Sequence, residues 1–229
     1  MLSGLGAAAL VRGIQETGVQ ATIKHFVCND QEDRRNAVHS IVQPRALREI
    51  YALPFQIVVR DADPGAVMTG YNGVNGTYVS ESKELLEGML RGEWGFKGLV
   101  MSDWWGTYST TEATNAGLDI EMPGPPRFRG ELLTFNVNTD KVLGHVLDER
   151  VRKVLELVKR CAKAGIEGGE EGGIDTPETA ALLRKISNEG VVLCKNVDGA
   201  LPLAKDKKVR VSAQEESERG GILTGTCRL

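Results

Sequence analysis

The sequence predicts an α/β protein organised around a parallel sheet, and three observations predict it. From residue 20 onward, short apolar or β-branched runs alternate with helical stretches, the sign of repeated βα units. Four such runs occur in succession, and each ends in hydrogen-bonding or ionisable residues. In parallel βα architectures that end of the sheet is where sites are built, so the pattern is that of half of an eight-stranded βα barrel.

The first run is ATIKHF, Ala21 to Phe26, and delivers Lys24 and His25. A helix follows from about Pro44, a residue suited to a first helical position, with a kink expected at Pro54. The second run, AVMTGYN (Ala66 to Asn72), ends in Tyr71 and Asn72. Behind it come the turn signals Asn72-Gly73 and Asn75-Gly76 and a helix with Leu85, Leu86, Met89 and Leu90 on one face.

The third run, GLVMSD, ends in Ser102 and Asp103 and is followed by Trp104 and Trp105. A weaker helix, TTEATNAG, stops at Gly117 and leads to a fourth run, LDIEMPG, which carries Asp119 and Glu121 and is halted by Pro123. A long amphipathic helix then sets Leu147, Val151, Val154, Leu155, Val158 and Cys161 on its apolar face and Arg150, Arg152 and Lys153 largely opposite.

The segment Gly165 to Pro177, GIEGGEEGGIDTP, has almost nothing to bury and reads as a linker. The expected division is therefore a barrel-type unit over 1–164, a linker over 165–177, the start of a second α/β domain over 178–210, and a divergent tail over 211–229. Within the second domain TPETAALLRKISNEG reads as helix and GVVLCKN as strand, whereas the tail shows no sustained period.

Composition narrows the partners. The 229 residues are 41% apolar and 26% charged with a net charge of −3, a soluble globular balance without the basic block that nucleic acid or an anionic membrane surface would require. No window reaches the roughly 18 apolar residues of a membrane span, and no export signal is recognisable at the start, which leaves localisation open. Cys28, Cys161, Cys194 and Cys227 are scattered without metal-ligand spacing, so neither a zinc site nor a disulfide framework is written here, and they read as free thiols, mostly core.

Asp103 poses the chemical question, because a carboxylate beside aromatic surface is costly unless it is paired or functional. Ordinary structural roles exist: a helix N-cap for Asp103, solvated strand ends for Lys24 and His25, core packing for the tryptophans. Four successive strand ends supplying polar groups favour a site instead. A carboxylate flanked by indoles, with Lys, His and Tyr donors converging on it, suits carbohydrate: hydroxyls meet the donors, C–H faces meet the rings, and the acid meets an oxocarbenium-like centre.

The stretches KHFVCNDQE (24–32), RALREIYALPF (45–55), MTGYNGVNG (68–76), GLVMSDWWGT (98–107) and GLDIEMPGPPRFR (117–129), with the looser SNEGVVLCKNVDGALPL (187–203), resemble fungal β-glucosidases of glycoside hydrolase family 3. The resemblance spans residue 2 to about 208. It implies the second half of a (β/α)8 TIM-type barrel and a retaining hydrolase of terminal β-D-glucosyl residues.

It further implies Asp103 as nucleophile, Lys24 and His25 as holders of sugar hydroxyls, Tyr71 close to the nucleophile, Met68 among the substrate-binding residues, Trp104 as the aromatic wall, and no metal or cofactor. Intact members carry further barrel strands and an acid/base Glu in a second domain. The chain is accordingly expected to be truncated, inactive alone and prone to self-association through open barrel edges. The alternatives are a sugar- or partner-binding remnant without turnover and, more remotely, a Schiff-base enzyme using Lys24.

Overall fold

The computed structural model describes residues 1–166, 168–169, 172–204, 209–214 and 222–227. The chain divides into two compact units, Met1–Gly168 and Gly169–Leu229.

The first unit is built on a parallel three-stranded sheet in the order β1 (Thr22–Phe26), β3 (Ala66–Thr69), β6 (Leu99–Met101). Thr22 pairs with Ala66 and Ala66 with Leu99, so the strands start in line and end on one edge. Ile23, Val67 and Val100 are buried together on one face of the sheet, and in β3 and β6 the neighbouring Ala66 and Leu99 on the other face are buried as well.

Helix α1 (Leu2–Glu16) opens the unit and packs on α3 (Leu53–Ala62), approaching so closely that a Cβ on Gly4 would lie 2.9 Å from the Pro54 Cα. The Gln15 side chain ties the two helices to the sheet: its carbonyl accepts from the Gly65 N–H at 2.9 Å and its amide donates to the Ala62 carbonyl at 3.1 Å.

The stretch after Pro44 runs as α2 (Pro44–Ala46), a π-helical segment (Leu47–Ala52) and then α3. The irregularity expected from Pro54 is thus absorbed by the wider turn just before it, and the helix restarts with the proline in its first turn, where no donor is needed. Leu85, Leu86, Met89 and Leu90 are buried from a second π-helical segment (Glu84–Glu93).

A small sheet joins β2 (His39–Ser40), β4 (Gly73–Val74) and β5 (Thr77–Tyr78). The last two form a hairpin on Asn75-Gly76, both at positive φ, while Gly73 belongs to a strand rather than to the expected turn. The sheet is followed by α4 (Thr111–Ala116), α5 (Glu131–Asn138) and α6 (Gly144–Lys163). Gly117 ends α4 at φ 107°, the left-handed cap the sequence announces.

Three expectations for this unit are corrected. The fourth run contributes a single bridge, Ile120 to Met101, because Glu121 and Ser102 turn the chain into other bonds and Pro123 follows. On α6 the apolar face is only partly covered: Leu147 and Val154 are half-buried and Val151, Leu155 and Val158 exposed, whereas Arg150 from the polar face is buried at 2% exposure. The burial of Arg150 is electrostatic, since it is drawn inward by Glu87 and Asp119. Of the thiols expected mostly in the core, Cys28 is buried but Cys161 is exposed, as is Cys194 in the second unit.

In the second unit α7 (Pro177–Gly190) is capped by the Thr176 hydroxyl, which accepts from the Thr179 N–H at 3.2 Å. The strand expected at GVVLCKN is not formed: residues 191–196 have no ladder partner among the described residues, and Val191 to Leu193 are exposed. Conversely, the stretch without period supplies an antiparallel pair, β7 (Val209–Gln214) and β8 (Ile222–Cys227). Residues 167, 170 and 171 of the expected linker and 215–221 and 228–229 of the expected tail lie outside the described residues.

Candidate active site

Because the three parallel strands end on one edge, their polar termini converge. Lys24 and His25 from β1, Met68 and Tyr71 from β3 and the loop after it, and Asp103 and Trp104 after β6 line one cavity of about 470 Å³, together with Asn29, Glu32, Arg35 and Trp105. In a regular strand Lys24 and His25 would point to opposite faces. Here the β1–β3 pairing shifts between Ile23 and Phe26, and this irregularity lets two consecutive side chains reach the same cavity.

Asp103 lies at the cavity floor with 7% exposure. One carboxylate oxygen accepts from the Trp104 N–H at 2.6 Å, and the other lies 3.1 Å from Nε2 of His25. The Tyr71 phenol is held above its ordinary value by burial first, then by the Asp103 charge and a hydrogen bond to that carboxylate. Tyr71 is itself fixed from behind, where the Tyr108 hydroxyl donates to its carbonyl at 2.9 Å.

Arg35 lies over the Tyr71 ring, 4.7 Å from its centroid, and binds Glu32 at 2.7 Å. The result is a buried anion ringed by a lysine, an imidazole, a phenol and a guanidinium, with two indoles at the opening.

Burial lowers the His25 pKa from 6.5; the Asp103 charge opposes this and Lys24 adds to it. The imidazole is thus neutral at pH 7 and can donate one N–H. Between the lowered folded value and 6.5 the unfolded chain binds the proton that the folded chain has lost, so the His25 share of stability is present above 6.5 and is lost as pH falls through that window. Denaturant midpoints taken from pH 7.5 to 5 should therefore fall more steeply for the wild type than for His25→Gln. Parallel profiles would show that His25 is not the group responsible.

Three of the strand-end residues serve the fold instead. Asn72 is buried and donates to the carbonyls of Val27, Cys28 and Gly73. Asp119 turns away to Arg91, Arg150 and the Val100 N–H. Glu121 accepts from the backbone N–H groups of Arg127, Phe128 and Arg129.

Sequence reading missed Asn29, Glu32 and Arg35 as cavity residues because they sit on the irregular loop after β1, which has no period. The only signal was their closeness to the Lys24-His25 pair. Among the described residues no cluster of three or more His, Cys, Asp or Glu side chains is placed to hold a metal ion.

Comparison with known proteins gives a consistent set. Residues 3–157 match the model of the glycosyl hydrolase family 3 N terminal domain. The chain is 57% identical over 201 residues to "Probable beta-glucosidase K" of Emericella nidulans, covering 88% of this chain and 24% of that protein.

Among solved structures, a beta-glucosidase from Kluyveromyces marxianus in complex with glucose superposes with a TM-score of 0.84 at 46% identity, covering 89% of this chain and 26% of that one. Beta-glucosidase 3B from Thermotoga neapolitana in complex with glucose gives 0.79 at 39% identity, with 88% and 29% covered. The chain spans about a quarter of the length of the curated relatives it matches.

Proposed function

Since this chain belongs to glycosyl hydrolase family 3, we propose that its cavity binds a terminal β-D-glucosyl residue and that Asp103 is the nucleophile of a retaining hydrolysis. The observation that carries the proposal is the environment of Asp103: a nearly buried carboxylate at a strand end, flanked by neutral His25 and by Tyr71 and walled by Trp104. The glucose bound in two similar enzymes supports the ligand class. The parallel strands and the bridge at Ile120 support reading the sheet as an arc of a (β/α)8 barrel whose carboxyl edge carries the site.

In the first step the Asp103 carboxylate bonds to the anomeric carbon as the bond to the aglycone oxygen breaks. Water then cleaves the resulting ester, freeing glucose with its configuration retained and restoring the carboxylate. Lys24, His25 and Arg35 are placed to hold hydroxyls, contacts that tighten as the ring gains positive charge.

The leaving oxygen also needs a proton. Among the described residues the other carboxyl group of the cavity is Glu32, which is engaged by Arg35 and would have to leave that guanidinium to act as an acid. Turnover by this chain accordingly favours aglycones that depart without a proton, and unactivated alkyl glucosides lose on the order of a hundredfold or more in rate. The same observation favours a second reading, sugar binding without turnover.

One experiment separates the two. A 2,4-dinitrophenyl 2-deoxy-2-fluoro-β-D-glucoside combines a leaving group that needs no acid with a fluorine that stalls the ester. Peptide mapping of the treated chain should find a single glycosyl adduct, on Asp103. An adduct on Glu32 or Glu121 refutes the assignment, and a folded chain that takes no label leaves the binding-only reading standing.

A further inference from the structure

Tyr108 does not line the cavity, yet it is tied to two residues that do, Asp103 and Tyr71. It lies in the loop that leaves β6, a few residues beyond Asp103, and Gly106 folds that loop back by donating its N–H to the Asp103 carbonyl at 2.9 Å. The turn sets Gly106 against Tyr71, where a Cβ would lie 3.4 Å from the ring, and sends the Tyr108 hydroxyl to the Tyr71 carbonyl at 2.9 Å.

Tyr71 itself sits between strands, after Thr69 has made the last pair of β3 and before Gly73 opens β4. No ladder holds it there. Among the described residues the Tyr108 hydroxyl is the one donor to its carbonyl.

The ring of Tyr108 is braced in turn. It lies on Tyr78 with centroids 4.0 Å apart and planes at 30°, and the Tyr78 hydroxyl donates to the Asn36 carbonyl at 3.2 Å. Asn36 directly follows Arg35, whose guanidinium lies over the Tyr71 ring. Tyr71 is therefore gripped twice, at its carbonyl by Tyr108 and over its ring from the loop that Tyr78 secures. Packing on Tyr78 accounts for the Tyr108 ring and would be kept by phenylalanine; the hydroxyl serves Tyr71.

The consequence falls on the nucleophile. The Tyr71 phenol faces the Asp103 carboxylate, whose two oxygens already meet the Trp104 N–H and the His25 imidazole. A third donor decides which oxygen lone pair is left for the anomeric carbon, and an error of about 1 Å in such a group can cost about 100-fold in rate.

We propose that Tyr108 is a positioning residue for the reaction: through its hydroxyl it fixes Tyr71 against the Asp103 carboxylate. The inference rests on the reading of Asp103 as nucleophile given above.

The test uses the full chain labelled with 3-fluorotyrosine, in which Tyr51, Tyr71, Tyr78 and Tyr108 each give a fluorine line. Tyr71→Phe identifies the line of Tyr71. Asp103→Asn should shift that line, because the phenol then faces an amide instead of a charge. In Tyr108→Phe, which keeps the ring on Tyr78, the same Asp103→Asn change should shift it much less.

The second readout is the labelling of Asp103 by the 2,4-dinitrophenyl fluorosugar, resolved into a binding constant and the rate constant of the bound step. Tyr108→Phe should lower the rate constant about 10-fold and leave the binding constant nearly unchanged, since Tyr108 does not line the cavity. In Tyr71→Phe the phenol is already gone, so adding Tyr108→Phe should cost nothing more. A merely structural hydroxyl would cost the same in both backgrounds.

An undiminished fluorine response in Tyr108→Phe, a loss confined to binding, or losses that multiply in the double variant overturns the proposal. Any of these with label on Asp103 sinks the positioning role alone. A folded wild type that takes no label on Asp103 sinks the nucleophile reading with it.

Discussion

Asp103→Ala should lower the turnover of 2,4-dinitrophenyl β-D-glucoside by on the order of 10⁴-fold or more, the scale on which loss of a covalent nucleophile is felt. Azide should then restore a large part of the rate. The truncation opens space at the cavity floor where the carboxylate stood, between the Trp104 N–H and the His25 imidazole. An azide ion there can bond to the anomeric carbon as the dinitrophenolate leaves, and this step requires no acid.

A single displacement inverts configuration, so the product must be the α-glucosyl azide. Wild-type turnover, by the two displacements proposed, should give β-glucose. Retained activity in Asp103→Ala, or a β-glucosyl azide, would show that another group is the nucleophile. Asp103→Asn separates charge from space: it fills the floor, leaves no room for azide and should stay inactive with or without it.

The site was legible in the sequence to the extent that it is written on strand ends. Lys24, His25, Tyr71 and Asp103 follow apolar runs directly, and parallel strands in register bring such residues to one edge whatever the loops do. What strand-end logic lacks is a way to tell residues aimed into the cavity from those aimed behind it.

Asn72, Asp119 and Glu121 have the same local signature as Tyr71 and Asp103, but their partners lie 19 to 45 residues away at Val100 and Val27, or ahead on the Arg127 turn. Arg35 and Glu32 entered the cavity from a loop, where side-chain direction has no period to read. The helices show the same limit. A hydrophobic stripe placed Leu85, Leu86, Met89 and Leu90 in the core, but on α6 half the stripe stays exposed while Arg150 is buried, its place decided by two carboxylates on other elements.

That buried arginine belongs to the network for which the largest stability effect is expected. Asp119 accepts from Arg91 at 2.6 Å and from the Val100 N–H at 2.7 Å, while its second oxygen lies 3.3 Å from Arg150. Its side chain has no exposed surface, and those of Arg91 and Arg150 keep 8% and 3%. Burial outweighs both guanidiniums and pushes its carboxyl up to about 6, so at pH 7 it is ionised and the pairs are intact.

Asp119→Ala at that pH leaves Arg91 to Glu87 and Arg150 to Glu87 and Glu149, carboxylates far more exposed than the cations, and orphans a donor of β6, the strand that leads to Asp103. Removing one partner of a buried pair costs about 3–5 kcal/mol, far more than the pair itself contributes. For a unit of this size such a loss lowers Tm by roughly 6–20 °C. Asp119→Asn, which keeps an acceptor for the Val100 N–H, should lose less.

The coupling is also testable. Once Arg91 is replaced by Met, one of the two cations is gone and Arg150 still has Glu87 at 2.9 Å, so the further cost of Asp119→Leu must be smaller than in the wild type. Strictly additive losses in that double-mutant cycle, or a melting temperature untouched by Asp119→Ala, would mean that these charges do not hold the strand that leads to Asp103 in place.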